Sequence, residues 1–134
     1  MQPTTRAETR AFYLLKAVNK AQRRYRLFAD GDAILVAVSG GKDSMTLLDL
    51  LYRRQQVTPE RYTLAVGHVQ TDAYCGRSVP LEWLDGWCAQ RGIPMRVLSL
   101  TVAEELASTH LSPCFRCAWN RRSACLLYTS PSPR

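Results

Sequence analysis

At residues 33–44 the chain reads AILVAVSGGKDS. The first six residues are apolar, half of them β-branched, and do not alternate with polar ones, which predicts a strand buried on both faces of a sheet. Beyond the glycines, leucines and a methionine follow at helical spacing, and this predicts a helix from Met45 to about Arg54. A buried strand that enters a helix through a glycine-rich turn is the first half of a βαβ unit.

The same alternation continues along the chain. Strands are predicted at 62–69 and 95–100, with a helix marked by Leu81, Leu84 and Cys88 between them, and another helical pattern begins at about Phe115. This order predicts an α/β fold with a doubly wound, Rossmann-like parallel sheet.

The turn between the first strand and its helix is the candidate site. Two glycines let the backbone approach a ligand closely, and amide groups at a helix N-terminus favour phosphate oxygens. Lys42 adds a positive charge and Asp43 can hold Mg²⁺, so we assign these two residues catalytic roles. The serine hydroxyls can donate hydrogen bonds. The predicted phosphate-binding residues are Ser39, Gly40, Gly41, Lys42, Asp43 and Ser44.

Basic residues are concentrated at the N-terminal end. Residues 1–26 hold seven Lys or Arg and one Glu, which is +6 of the net charge of +7. Apolar residues at helical spacing predict an amphipathic helix over 11–25, with a basic opposite face. The apolar stripe is Ala11, Leu14, Leu15, Val18 and Tyr25, and the basic face is Lys16, Lys20, Arg23 and Arg24. That face is interpreted either as a solvated surface or as an RNA-binding one.

Composition excludes several classes of protein. Hydrophobic residues make up 46% and charged residues 22% of the chain, typical of a folded domain rather than a disordered one. No apolar run approaches the ~18 residues of a membrane span, and residues 1–6 lack the apolar stretch of a secretory signal. We therefore expect a cytoplasmic protein with no membrane partner.

The five cysteines are an odd number, which favours reduced thiols or a metal over a disulfide framework. Cys114 and Cys117 stand three apart at a predicted helix start, where two thiols can share a metal or cluster or form a redox pair. Cys75 and Cys88 are predicted to be loop or core thiols, and His68 a structural histidine.

The sequence SGGKDS after a buried strand resembles the PP-loop of the N-type ATP pyrophosphatases, which adenylate a substrate carbonyl and release pyrophosphate. Six fixed positions arise by chance roughly once in 10⁵ chains of this size, so the resemblance is specific. A PP-loop followed by Cys-x-x-Cys and two arginines, behind a basic helix, is similar to the tRNA 2-thiocytidine synthetase family.

That resemblance implies ATP, Mg²⁺ and an iron–sulfur cluster of the 4Fe-4S type as cofactors, with Cys114 and Cys117 as two of three cluster ligands. It implies activation of the C2 oxygen of a tRNA anticodon-loop cytidine and its replacement by sulfur from a donor such as a cysteine desulfurase. A homodimer is a further expectation.

Other features keep two alternatives open. Many relatives have an aspartate just after the second strand, where this chain has Gln70 and then Asp72, and Gly67-His68-Val69 resembles the sister tRNA lysidine synthetases. The alternatives are a lysidine synthetase-like ligase and a non-catalytic nucleotide-binding module with structural zinc.

The last ten residues, CLLYTSPSPR, match a translated frame of a common sequencing adapter, and the other interpretation is a Ser/Pro-rich terminus. We therefore predict a basic helix at 1–28, an incomplete PP-loop domain at 29–124 and adapter-encoded residues at 125–134. The family's later Gly-His-x-x-Asp-Asp segment and third cluster cysteine are absent, so we expect this fragment alone to be inactive.

Overall fold

The computed structural model describes residues 5–71, 80–100, 119–120 and 122–123. The elements, in chain order, are helix α1 (Arg6–Tyr25), strand β1 (Ala33–Ala37), helix α2 (Lys42–Val57), strand β2 (Thr63–Thr71), helix α3 (Leu81–Gln90) and strand β3 (Met95–Leu100). Trp119–Asn120 and Arg122–Ser123 are also helical, while Phe115, the predicted start of that helix, lies outside the described residues.

The three strands form one parallel sheet in the order β1-β2-β3. In its register Val36 lies beside Val66, and His68 lies beside Val97. The predicted parallel α/β class is confirmed, and the third strand has the predicted bounds.

The core lies on one face of this sheet. Val36 of β1, Val66 of β2 and Val38, one residue beyond β1, lie on this face and are at most 3% exposed. Leu48 from α2 and Leu84 from α3 join them in one buried cluster, so both helices pack on the same face. Burying side chains of this size stabilises the fold by about 1.5–3 kcal/mol each. The core thus holds the start of α2 beside the end of β1.

Helix α1 begins five residues before the predicted amphipathic stretch of 11–25 and lies within the predicted basic segment of 1–28. Its first turn is capped by polar groups, which an apolar pattern does not reveal. The amide of Thr5 donates to Glu8 Oε2 at 2.7 Å and the amide of Glu8 donates to Thr5 Oγ1 at 3.2 Å. This reciprocal capping box starts the helix at Arg6.

The buried stripe of α1 also differs from the predicted one. Ala11 and Gln22 are buried, whereas Leu14 and Tyr25 are 46% and 62% exposed. Gln22 is buried because its amide group satisfies the chain reversal after the helix: it accepts from the amide of Leu27 at 2.9 Å and donates to the carbonyl of Phe28 at 2.6 Å. A polar side chain therefore occupies a position for which the sequence pattern favoured an apolar one.

Arg54 attaches the C-terminal part of α2 to α1. Its side chain is 6% exposed, and it donates to Asn19 Oδ1 at 2.7 Å and to Glu60 Oε2 at 2.9 Å. The guanidinium carbon also lies 5.3 Å from the ring centroid of Phe28. These polar contacts attach the basic helix to α2 and to the segment that follows it.

Candidate functional site: a phosphate-binding loop

The loop after β1 is held to the neighbouring strand on both sides of Val38. The amide of Val38 donates to the carbonyl of Gly67 at 2.8 Å. The carbonyl of Val38 lies 2.7 Å from His68 Nδ1, which must carry a proton to donate to it. Through Nδ1, His68 therefore has the structural role that the sequence predicted. The sequence did not reveal that its partner is Val38, the residue that opens the loop.

Gly40 allows the chain to reverse at this point. Its φ of 93° lies in the region that L side chains avoid, and the residue is buried. Gly41 has an ordinary φ of −81° and serves as the N-cap of α2. The two glycines thus differ: Gly40 is required by its backbone conformation, whereas at Gly41 the φ is ordinary and an added Cβ would lie 3.4 Å from Ser39 Oγ.

The two serines of the loop bond to each other and to the backbone. Ser39 Oγ lies 3.2 Å from Ser44 Oγ and accepts from the amide of Gly41 at 3.3 Å. Ser44 Oγ accepts from the amide of Ser39 at 3.2 Å and donates to the carbonyl of Gly41 at 3.3 Å. These bonds preorganise the loop; that the hydroxyls also donate to phosphate oxygens stays a prediction.

The first turn of α2 is open to an anion. The amides of Lys42, Asp43 and Ser44 have no acceptor among the described residues, as is usual for the first turn of a helix. The positive end of the helix dipole reinforces them. Three consecutive amides without acceptors at a helix N-terminus, behind a glycine turn, make this first turn a candidate phosphate-binding site.

Lys42 and Asp43 stand in solvent at the rim of this site. Their side chains are 89% and 91% exposed and form an ion pair of 2.7 Å, which raises the pKa of Lys42 above its usual value through the hydrogen bond and the charge of Asp43. Lys42 is therefore positively charged throughout the neutral range. Exposed ion pairs are weak, so a phosphate can take Lys42 from Asp43 at little cost.

The cysteine predictions fall partly within the described residues. Cys88 is 1% exposed in the core, and burial raises the pKa of its thiol, which makes it a core thiol as predicted. Cys75, Cys114 and Cys117 lie outside the described residues. Within the described part of the chain, no group of three or more His, Cys, Asp or Glu side chains could hold a metal ion.

No helix among the described residues has the length and apolarity to cross a membrane.

A comparison with known protein families agrees with this loop geometry. The PP-loop domain matches residues 10–117, which include the whole of the phosphate-binding loop and most of the chain. The chain belongs to the PP-loop family. The resemblance seen in residues 39–44 is thus confirmed.

Within the PP-loop family, curated relatives are named tRNA-cytidine(32) 2-sulfurtransferase. The relative from Alkalilimnicola ehrlichii is 33% identical over 111 residues, which cover 81% of this chain and 34% of that protein. The one from Cellvibrio japonicus is 31% identical over 101 residues, 73% of this chain and 32% of the relative. This chain therefore spans about a third of the length of these relatives.

The solved structure of the U34-tRNA thiolase NcsA from Methanococcus maripaludis with its [4Fe-4S] cluster is also similar. It superposes with a TM-score of 0.64 at 22% identity, over 87% of this chain and 41% of that one. At this identity the likeness supports the fold, an α/β PP-loop domain.

Proposed function

We propose that this PP-loop domain binds ATP for the thiolation of tRNA, in which an anticodon-loop cytidine is adenylated and sulfur replaces its C2 oxygen. The observation that carries the proposal is the loop with three amides that lack acceptors among the described residues, formed where the family's phosphate-binding motif stands. The names of the sulfurtransferase relatives supply the substrate class.

ATP fits the loop by chemistry. Its phosphates require amide donors and a cation, and the loop offers both at a helix N-terminus. In this proposal Lys42 exchanges the carboxylate of Asp43 for phosphate oxygens and follows the negative charge that develops on the leaving pyrophosphate. Asp43, released from Lys42, is the carboxylate for Mg²⁺, an ion that proteins often bind with one or two carboxylates together with substrate phosphates.

Adenylation makes the substitution chemically accessible. A nucleobase carbonyl oxygen is a poor leaving group, whereas the same oxygen attached to AMP departs readily when sulfur attacks the carbon. The protein contributes orientation of the two reactants and electrostatic stabilisation of the pyrophosphate. Cys114 and Cys117 are proposed ligands of a 4Fe-4S cluster, with tRNA, a cysteine desulfurase as sulfur donor and a second copy of the chain as partners in the cytoplasm.

Titration of ATP with Mg²⁺ into the chain tests the site. Lys42→Ala removes a charge-assisted contact worth about 1.5–3 kcal/mol, so we expect ATP affinity to fall by roughly tenfold or more. Lys20→Ala is the matched control, since Lys20 is an equally charged, exposed residue of α1. Equal affinities for wild type and Lys42→Ala would contradict the assignment of Lys42.

Thiolation itself is tested with the product of the uninterrupted reading frame across the codons for residues 124 and 125. Under anaerobic conditions with ATP, Mg²⁺, sulfide and unmodified tRNA, we expect 2-thiocytidine among the digested nucleosides by mass spectrometry. Iron with acid-labile sulfide supports the cluster. Formation of lysidine instead, or stoichiometric zinc without turnover, would establish one of the two alternatives.

A further inference from the structure

One side of α1 combines aromatic rings with cations. At 100° per residue, two exposed aromatic residues and four exposed cations between residues 12 and 24 fall within an arc of about 120°, opposite the buried Ala11 and Gln22. We call this the cationic-aromatic face, and its members are Phe12, Tyr13, Lys16, Lys20, Arg23 and Arg24.

The rings of this face do not serve the core. Phe12 and Tyr13 are 57% and 64% exposed and contact each other edge to face, with centroids 5.6 Å apart. Lys16 Nζ lies 4.6 Å from the centroid of Phe12 and 5.5 Å from that of Tyr13. The two rings therefore lie beside an ammonium group on the surface, a combination that offers both a stacking platform and a phosphate contact.

We propose that the cationic-aromatic face binds a single-stranded segment of RNA, with a base stacked on Phe12 or Tyr13 and phosphates paired with Lys16 and the basic residues that follow it. Unpaired bases stack on aromatic side chains, and lysines and arginines neutralise the backbone between them. The assignment of that RNA as tRNA rests on the function proposed above, while the binding of unpaired bases rests on this face.

Charge and placement argue against the other two occupants of such a surface. A helix that lies on a membrane turns its apolar side to the lipid, but three of the five residues of the apolar stripe of α1 turn toward the protein: Ala11 and the half-buried Leu15 and Val18. A second copy of the chain would bring four cations against four cations, which opposes self-association through this face.

Helix α1 is attached to the C-terminal part of α2, whereas the PP-loop lies at its N-terminal end. Arg54, which bonds to Asn19 of α1, lies twelve residues beyond Lys42, or roughly 18 Å along α2. In this proposal a folded RNA contacts α1 while one of its nucleotides lies at the loop, so the face is a docking surface made of residues other than those of the ATP site.

Fluorescence anisotropy with the 134-residue chain tests the proposal. The probes are a labelled unstructured RNA of about 12 nucleotides and a duplex RNA of equal length. Loss of both rings in the double variant Phe12→Leu, Tyr13→Leu should weaken binding of the unstructured RNA by roughly tenfold and leave duplex binding unchanged, since only unpaired bases can stack. Lys16→Gln should lower the salt dependence of binding.

Tyr25→Leu is the matched control. Tyr25 is 62% exposed and has its own cation partner, Arg24 at 5.3 Å, but it projects about 160° from the centre of the face. We expect Tyr25→Leu to bind both RNAs as the wild type does, and circular dichroism of each variant shows that the helix is retained. An equal loss in Tyr25→Leu and in the double variant would overturn the proposal, as would an unchanged affinity of the double variant.

Two further measurements separate the outcomes. If RNA binding does not depend on the two rings but binding of anionic vesicles does, the face belongs to a membrane. If dimerisation in sedimentation depends on them instead, the face belongs to a second copy of the chain. ATP titration of the same preparation tests the proposed function independently. If the chain binds ATP but its RNA binding does not depend on the two rings, only the proposal for the cationic-aromatic face is wrong. If RNA binding depends on the rings but the chain does not bind ATP, only the proposed ATP site is wrong.

Discussion

The first turns of α1 and α2 solve the same problem in opposite ways. Each leaves backbone amides without helical partners. At α1, the capping box provides acceptors for two of these amides, those of Thr5 and Glu8. At α2, the N-cap is Gly41, and the first three amides have no acceptor among the described residues.

The difference separates a structural helix start from a binding one. The capping box fills two donors of the first turn of α1 and places the carboxylate of Glu8 beside them, which disfavours an anionic ligand there. An open first turn needs support from elsewhere, and α2 receives it from the bonds between Ser39 and Ser44 and from the contacts of Val38 with β2. The PP-loop is therefore preorganised by its serine contacts and by β2, while the first three amides of α2 remain available to a ligand.

The substitution Gly40→Ala is expected to change stability and ATP affinity the most. Gly40→Ala forces a side chain into the positive-φ region at about 1–2 kcal/mol, and we expect both the free energy of unfolding and ATP affinity to fall. Gly41→Ala is the control, because its φ is ordinary and a new Cβ would meet Ser39 Oγ at 3.4 Å. Denaturant unfolding and ATP titration measure the two effects. Equal losses in both variants would mean that backbone conformation is not what distinguishes the two glycines.

Ser44→Ala should have the next largest effect, because it removes the hydroxyl that joins Ser39 to the start of α2. With hydrogen bonds worth about 1 kcal/mol each, we expect ATP binding to weaken roughly fivefold or more. Thr46→Ala serves as the comparison: its hydroxyl donates only to the carbonyl of Lys42 within the helix, at 2.7 Å. If both variants bind ATP like the wild type, the serine contacts do not preorganise the loop.

The smallest effect is expected at the capped helix and depends on pH. Hydrogen bonds from the backbone and side chain of Thr5 hold the pKa of Glu8 below its usual value. A lowered carboxyl pKa stabilises the folded state above the unfolded value of about 4.3, and this contribution is lost as the pH falls through the folded pKa. Unfolding measured against pH should therefore separate Glu8→Gln from the wild type at neutral pH and merge the two in acid. ATP affinity should be unchanged, and a change would show that the two helix starts are coupled.

Much of this protein follows from local pattern. The unbroken apolar run of β1, the two glycines and the leucines of α2 specify a strand, a turn and a helix, because each signal acts over a few neighbouring residues. The bounds of α3 and β3 follow in the same way. The position of the candidate loop was predictable because its six residues are consecutive; the phosphate-binding roles of these residues stay a prediction.

Contacts between distant segments were not predictable. The alternation of apolar residues gives no sign that Arg54 is buried against Asn19 and Phe28, or that Gln22 rather than Leu14 lies on the inner side of α1. Phe12, Tyr13 and Lys16 could have been grouped from their helical spacing, but their exposure depends on which side of α1 faces α2. The sequence by itself determined the helices, the strands and the predicted phosphate-binding chemistry of the loop, because these depend on adjacent residues. The tertiary structure decided the contact between His68 and the loop and which side of the basic helix is exposed, because both depend on packing across the sheet and between helices.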